Sequence, residues 1–267
     1  MDCDINDTEF ALFQSFIFDH AGISLSSRKK TLVSSRLNKR LRHYNLSSFQ
    51  QYYDIVMSSP ADGERQVATD LLTTNETYFF REPKHFDFLK DQVLQSWPRG
   101  KPMKIWSAAS STGEEVYSLS MLLDDQLNSS RWDIFGSDIS HRVLETASRG
   151  LYQQLRIEGI PQAYLKKYCL KGTGEHEGLL LIANELRQRV RFAQINLQRP
   201  LPNLGSFDVI FLRNVLIYFN DETKKIVIKK IVDKLRPGGY LFIGHSESIR
   251  SFQLGLNLVT PAVYQKL

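Results

Sequence analysis

The chain has 267 residues, enough for one large hydrophobic core or two smaller ones, and its 42% apolar and 24% charged residues exclude a disordered or fibrous chain. Its two cysteines, Cys3 and Cys169, are too few for a disulfide framework and lack the paired spacing of a zinc site, so no metal and a reducing cytoplasm are expected. The acidic start MDCDINDTEF is unlike a secretory signal, no apolar run approaches the roughly 20 residues of a membrane span, and the net charge of +5 is modest.

From Thr8 to about Leu72 apolar residues recur at helical spacing, as in Phe10, Phe13, Phe16 and Ile17 and again in Val33, Leu37 and Leu41. This predicts a small all-α domain over residues 1–72. Residues 20–53 hold seven Lys or Arg and no Asp or Glu. On a helix, Arg36, Lys39, Arg40 and His43 form a basic stripe opposite the apolar one, which suits an acidic partner. A solvated helix face and a nucleic-acid surface are the alternatives; few aromatics interleave with the charges, which disfavours single-strand binding by stacking. Residues 73–83, TTNETYFFREP, are polar and aromatic, end in proline and read as a linker.

Over residues 84–267 the runs KIWSAA, WDIFGSD, VRFAQIN, FDVIFLRN and YLFIGHS alternate with helical stretches, the pattern of a parallel sheet with crossover helices. Residues 168–191 interrupt it with short apolar runs bounded by glycines, including Gly172, Gly174 and Gly178, and predict an inserted antiparallel hairpin. Ligands of such sheets bind at the carboxyl ends of the strands. The first strand runs into SAASSTGEE, which lacks G-x-G-x-x-G and the P-loop pattern, so a pyrophosphate cradle is not expected. Asp138 ends the second strand, where a carboxylate can accept hydrogen bonds from both ribose hydroxyls. Capping the next helix is its alternative role, for which Ser140 competes. Glu114 and Glu115 suit a cationic adenosine ligand without phosphate, such as S-adenosylmethionine, although Thr112 to Glu115 also fits a helix capping box.

In order along the chain, TTNETYFFRE, IWSAASSTGEE, GSDIS, FLRNVLIYF and LRPGGYLFIGHSES resemble the chemotaxis receptor methyltransferase (CheR) family. The resemblance implies an α/β, Rossmann-like S-adenosylmethionine-dependent methyltransferase domain with a small inserted antiparallel β-subdomain, preceded by the all-α domain. It implies cofactor contacts at Asn75, Thr77, Arg81, Glu115, Asp138, Asn196, Leu197, Arg213 and Asn214, with Arg81 and Tyr218 beside the transferable methyl. On residue type alone, Arg81 reads as a domain-to-domain ion pair and Tyr218 as a core ring with its hydroxyl satisfied. Asn196 is suited to an adenine edge. His245 in GHSES reads as a strand-end residue more readily than as a general base.

The implied activity is esterification of chemoreceptor glutamates by a cytoplasmic monomer recruited to receptor arrays, yielding S-adenosylhomocysteine, with no nucleic-acid partner. The implied partners are the receptors' acidic, helical cytoplasmic region and, through the β-subdomain, their C-terminal peptide. Methylation of RNA or of a small molecule, and a non-catalytic cofactor-sensing module, are the competing readings. Asn214-Val-Leu-Ile-Tyr218 lacks the two prolines of the Asn-Pro-Pro-Tyr signature of amine methyltransferases, which weakens the amino-methylating reading.

Overall fold

In the computed structural model, which describes residues 3–127 and 131–267, the chain starts with helices whose ends are set by side chains. Asn6 accepts a hydrogen bond from the Glu9 N–H at 2.9 Å and Glu9 accepts one from the Asn6 N–H at 3.0 Å, a capping box that opens α1 (Asp7–Ala21). Gly22, left-handed at φ 72°, closes it. Helices α2 (Lys30–Tyr44), α3 (Phe49–Ser58) and α4 (Glu64–Leu72) follow. Their apolar stripes meet at Phe13, Leu37, Phe49, Tyr52 and Val56, all fully buried.

Past the linker, α5 (Pro83–Phe88) takes Pro83 in its first turn, where a missing N–H costs nothing, and runs into a π-helical turn at Leu89–Leu94. The alternation then unfolds as β1 (Met103–Ser107), α6 (Glu114–Leu127), β2 (Trp132–Asp138), α7 (His141–Arg149), β3 (Leu151–Gln153), α8 (Gln162–Tyr168), β4 (Cys169–Lys171), β5 (Leu179–Ile182), α9 (Asn184–Arg187), β6 (Val190–Gln194), β7 (Phe207–Leu212), α10 (Asp221–Lys234), β8 (Leu235–Ile243), β9 (Leu256–Thr260) and β10 (Val263–Lys266). The main sheet has the order β6-β2-β1-β7-β8-β10-β9. Its first five strands are parallel, and β10 runs antiparallel to both β8 and β9. Every residue of β7 is buried, as expected for a central strand covered on both faces. The chain leaves β1 for β2 on one side, and β7 joins on the other, so the crevice at the carboxyl ends of β1 and β7 is a switch point.

The inserted unit is larger than a hairpin over 168–191. It is a three-stranded antiparallel sheet of order β3-β5-β4, whose β3 is recruited from residues 151–153. Three residues are too few to show a period of two, so β3 becomes recognisable only through its pairing with β5. The C-terminal end of the predicted segment, from Val190, already belongs to the main sheet as β6. The hairpin β9–β10 at the end of the chain was likewise absent from the alternation of parallel strands.

One apolar cluster joins Phe13, Leu37 and Tyr52 of the helical domain to Trp106, Ile210, Ile231 and Leu241 of the sheet domain. A second covers the sheet's other face, with Leu119, Met121, Phe211, Phe242 and Phe86. The segment after α1 reinforces the junction: Ile23 forms a β-bridge with Phe219, and the Ser24 N–H donates to the Tyr218 carbonyl at 2.8 Å.

Candidate active site

A cavity of about 380 Å³ opens at the switch point. Its walls come from three stretches of chain: Ile23, Leu25, Lys29 and Leu32 of the helical domain, the linker from Thr73 to Tyr78 with Arg81, and the strand ends carrying Ala108, Glu115, Asp138, Ile195, Leu197 and Tyr218. A volume of this size suits a small molecule or cofactor.

The loop after β1 is shaped by two left-handed residues, Ser111 at φ 48° and Gly113 at φ 94°. A Cβ on Gly113 would lie 2.8 Å from the Cβ of Ala147, so glycine lets α6 begin directly against α7. Asp138 holds this loop: one carboxylate oxygen accepts from the Ser111 N–H at 2.9 Å and the other from the Ser140 N–H at 3.0 Å. Burial pushes its carboxyl pKa up, against the pull of these backbone donors. Ser140 takes the capping role on α7 by accepting from the Val143 N–H. Asp138 therefore caps nothing, and its oxygens keep lone pairs for further donors in the cavity.

The capping box at Thr112 does not form. Glu115 instead accepts from the Ser107 hydroxyl at 2.7 Å and pairs with Arg213 at 2.9 Å, while the Thr112 hydroxyl donates to Glu114 at 2.6 Å. Arg213 is a clasp. Buried at the end of β7, it pairs with Glu115 and with Glu82 at 3.1 Å, and it also donates to the Arg81 carbonyl. Burial raises the Glu82 carboxyl pKa, but the Arg213 charge and the Asn214 amide outweigh it and the net shift is downward. Asn214, left-handed at φ 57°, donates its N–H to Glu247 at 2.9 Å and its side-chain amide to Glu82 at 3.2 Å. Glu82 is thus a member of the site that the sequence patterns did not single out; its position beside Arg81 in the linker motif was the available signal.

Arg81 lines the cavity with its guanidinium 5.6 Å from the Tyr78 ring, donating to the Glu76 carbonyl at 2.9 Å. Among the described residues no carboxylate lies within ion-pair distance of it, so the domain-to-domain ion pair is not formed. Tyr218 is half-buried rather than a core ring, its hydroxyl 3.5 Å from the Thr74 carbonyl. Burial raises its pKa, and the nearby Arg81 and Arg36 charges oppose that. The hydroxyl is therefore a neutral donor at physiological pH. Asn75 donates its amide to Thr73 at 3.2 Å and offers its carbonyl to the Ser111 hydroxyl at 2.8 Å, tying the linker to the β1 loop, and Thr77 lines the cavity beside it.

Two sets of candidates have part of their polar groups engaged elsewhere. The Asn196 amide donates to the His20 carbonyl at 2.6 Å and its oxygen accepts from the Gln198 N–H at 3.0 Å, which joins the domains while the residue lines the cavity. Leu197 beside it supplies apolar wall. The basic stripe on α2 is also half spent. Arg36 donates to the carbonyls of Leu71, Leu72 and Thr73 at 3.2, 3.4 and 2.9 Å, capping the end of α4. Arg40 forks onto Glu64 at 2.6 and 2.7 Å. Lys39 and His43 stay exposed. The β-subdomain glycines lie away from the cavity; a Cβ on Gly172 would fall 1.9 Å from the His176 carbonyl oxygen, and Gly174 and Gly178 are left-handed.

The cavity offers the Asp138 carboxylate, apolar walls at Ile139, Ile195 and Leu197, and the Arg81 guanidinium at its linker side, a lining suited to a small molecule with an apolar body and polar groups at its ends.

Comparison with known proteins agrees with that fit. Residues 75–263 match the family model described as CheR methyltransferase, SAM binding domain, and residues 8–73 match CheR methyltransferase, all-alpha domain. The chain is 40% identical over 265 residues to a chemotaxis protein methyltransferase of Escherichia coli (strain K12), covering 97% of this chain and 91% of that protein. It is 38% identical over 263 residues to a chemotaxis protein methyltransferase of Salmonella typhimurium, covering 97% and 90%. Chemotaxis protein methyltransferase 2 of Pseudomonas aeruginosa is 42% identical over 245 residues, covering 90% and 86%.

Proposed function

The chain belongs to the CheR methyltransferase family, and we propose that it transfers the methyl group of S-adenosylmethionine to glutamate side chains of chemoreceptors, leaving glutamate methyl esters and S-adenosylhomocysteine. The observation that carries this reading is the Arg81 guanidinium, without an ion-pair partner among the described residues, in the same cavity as Tyr218 and Asp138. S-adenosylmethionine, when bound, supplies an activated methyl on a sulfonium that departs as a neutral thioether.

Asp138 is suited to the ribose hydroxyls, with Asn75, Thr77 and Leu197 around the nucleoside. Glu115, Arg213 and Asn214 act one step back: Glu115 pairs with Arg213, Arg213 and Asn214 both bond Glu82, and Arg213 holds the Arg81 carbonyl, which fixes the linker and with it Arg81. A glutamate carboxylate is ionised near neutral pH and is already a competent oxygen nucleophile, so the site needs no general base. What it must provide is position. Arg81 has the fork geometry to hold the carboxylate, and Tyr218 walls the space next to it, which favours a near-attack arrangement.

The acceptor reaches this cavity along the helical domain, where exposed Lys39 and His43 suit an acidic helical segment of the receptor's cytoplasmic region. The outer strands of the β3-β5-β4 sheet are open to pairing, a mode by which a receptor C-terminal peptide is tethered. No described helix is long and apolar enough to cross a membrane. The reading takes the enzyme as a cytoplasmic monomer recruited to receptor arrays. The test is incubation with labelled S-adenosylmethionine and bacterial membranes. Base-labile methyl esters on a receptor band are expected; label appearing in RNA instead would overturn the reading.

A further inference from the structure

At the Arg213 clasp, among residues that do not line the cavity, Glu82 meets two histidines from distant parts of the chain. His85 comes from α5 and His245 from the turn after β8, and one ligand-competent atom from each of the three residues lies within 4.8 Å of the others. The rings of His85 and His245 are edge-to-face, 4.6 Å between centroids. His85 is 1% exposed, yet neither of its ring nitrogens has a hydrogen-bond partner. A neutral imidazole always carries one donor and one acceptor, so a buried one with neither satisfied is a rare and costly arrangement.

Its Nδ1 lies 3.4 Å from Glu82 Oε2 without bonding to it. Two ligands of a tetrahedral ion with bonds of about 2.1 Å stand about 3.4 Å apart. Two imidazoles and a carboxylate form a donor set of the zinc class, and the exposed His245 leaves the fourth position to water. Arg213 faces both Glu82 and Glu115, a trio with one net negative charge, and an ion at this place would share Glu82 Oε2 with the guanidinium. The glutamate is also anchored, accepting from the Asn214 amide and the His245 N–H on its other oxygen.

We propose that Glu82, His85 and His245, none of which lines the cavity, form a binding site for a divalent transition-metal ion of the zinc class. The site shares Glu82 with Arg213, so it joins the metal to the linker that carries Arg81.

The test uses the full chain without a purification tag, titrated with Co²⁺ and followed by the visible absorption of the bound ion. One equivalent taken up in a low-symmetry tetrahedral spectrum, and displaced by Zn²⁺, is the expected result. His245→Ala, a change at an exposed side chain, should weaken the affinity by at least about tenfold. A Zn²⁺-dependent rise in Tm of the unsubstituted chain, lost in H245A, is the second expected readout. The exposed pair His141 and Glu145, whose nearest atoms are 3.5 Å apart, is the competing location. No saturable Co²⁺ uptake, uptake unchanged in H245A, or uptake abolished by His141→Ala would each overturn the proposal.

Discussion

Arg213 sits almost out of water between two carboxylates, and the value of that arrangement lies in what its removal would leave behind. Arg213→Met would leave the partly buried Glu82 and Glu115 without their shared counter-charge, a change expected to cost about 3 kcal/mol in chemical denaturation. It would also release the Arg81 carbonyl, so both stability and activity should fall. Arg81→Ala is different in kind. Its side chain makes one bond to a backbone carbonyl, and its loss should leave stability nearly unchanged while lowering methyl transfer about a hundredfold, with cofactor affinity little affected. Binding calorimetry beside a turnover assay separates the two; equal loss of affinity and rate would make Arg81 a plain cofactor contact.

At the scale of elements, the helical domain is organised around a single acid. Glu64, at the start of α4, receives the Arg40 fork from α2, the Tyr52 hydroxyl from α3 at 2.7 Å and the Tyr44 hydroxyl at 2.9 Å. Burial raises its pKa, but these four donor contacts outweigh it and the folded-state value falls below 4.5. A depressed carboxylate pKa adds stability that is fully present above the unfolded value and is lost as pH falls through the folded one. The helical domain should therefore lose stability below about pH 4.5, and Glu64→Gln should flatten that part of the curve; circular dichroism across the acid range measures both. In the β-subdomain, Gly172→Ala drives a methyl into the His176 carbonyl and should disorder the β4–β5 turn while sparing the cavity. Loss of receptor-peptide binding with methyl transfer to peptide-independent acceptors retained is the expected result.

For the whole molecule, the boundary near residue 73 is a change of texture in the chain and not a break in the core. Phe13 and Tyr52 share an apolar cluster with Ile210 and Ile231, and Asn196 and Ser24 carry hydrogen bonds across the junction. The two parts should therefore unfold in a single calorimetric transition; two resolved transitions would show that the shared cluster contributes little. The same merging makes Ile23 and Leu32 part of the cavity wall, so the sheet domain alone, residues 74–267, should bind S-adenosylmethionine more weakly than the full chain.

The helical domain, the parallel sheet and the strand-end location of Asp138 are legible along the chain, because helix and strand periods and cap residues act over a few neighbours. The ordered motifs added the family, its cofactor and its chemistry. Tertiary structure decided how charges and amides were used: Arg36 and Arg40 turned inward to α4, Asn196 turned to His20, and Arg213 was drawn between Glu82 and Glu115. It also decided that three residues at 151–153 became a strand and that His85 met His245. Each of these depends on partners dozens to more than a hundred residues apart, and whether a polar group is free or spent is a property of the partner that burial brings to it. No local pattern along the chain carries that information.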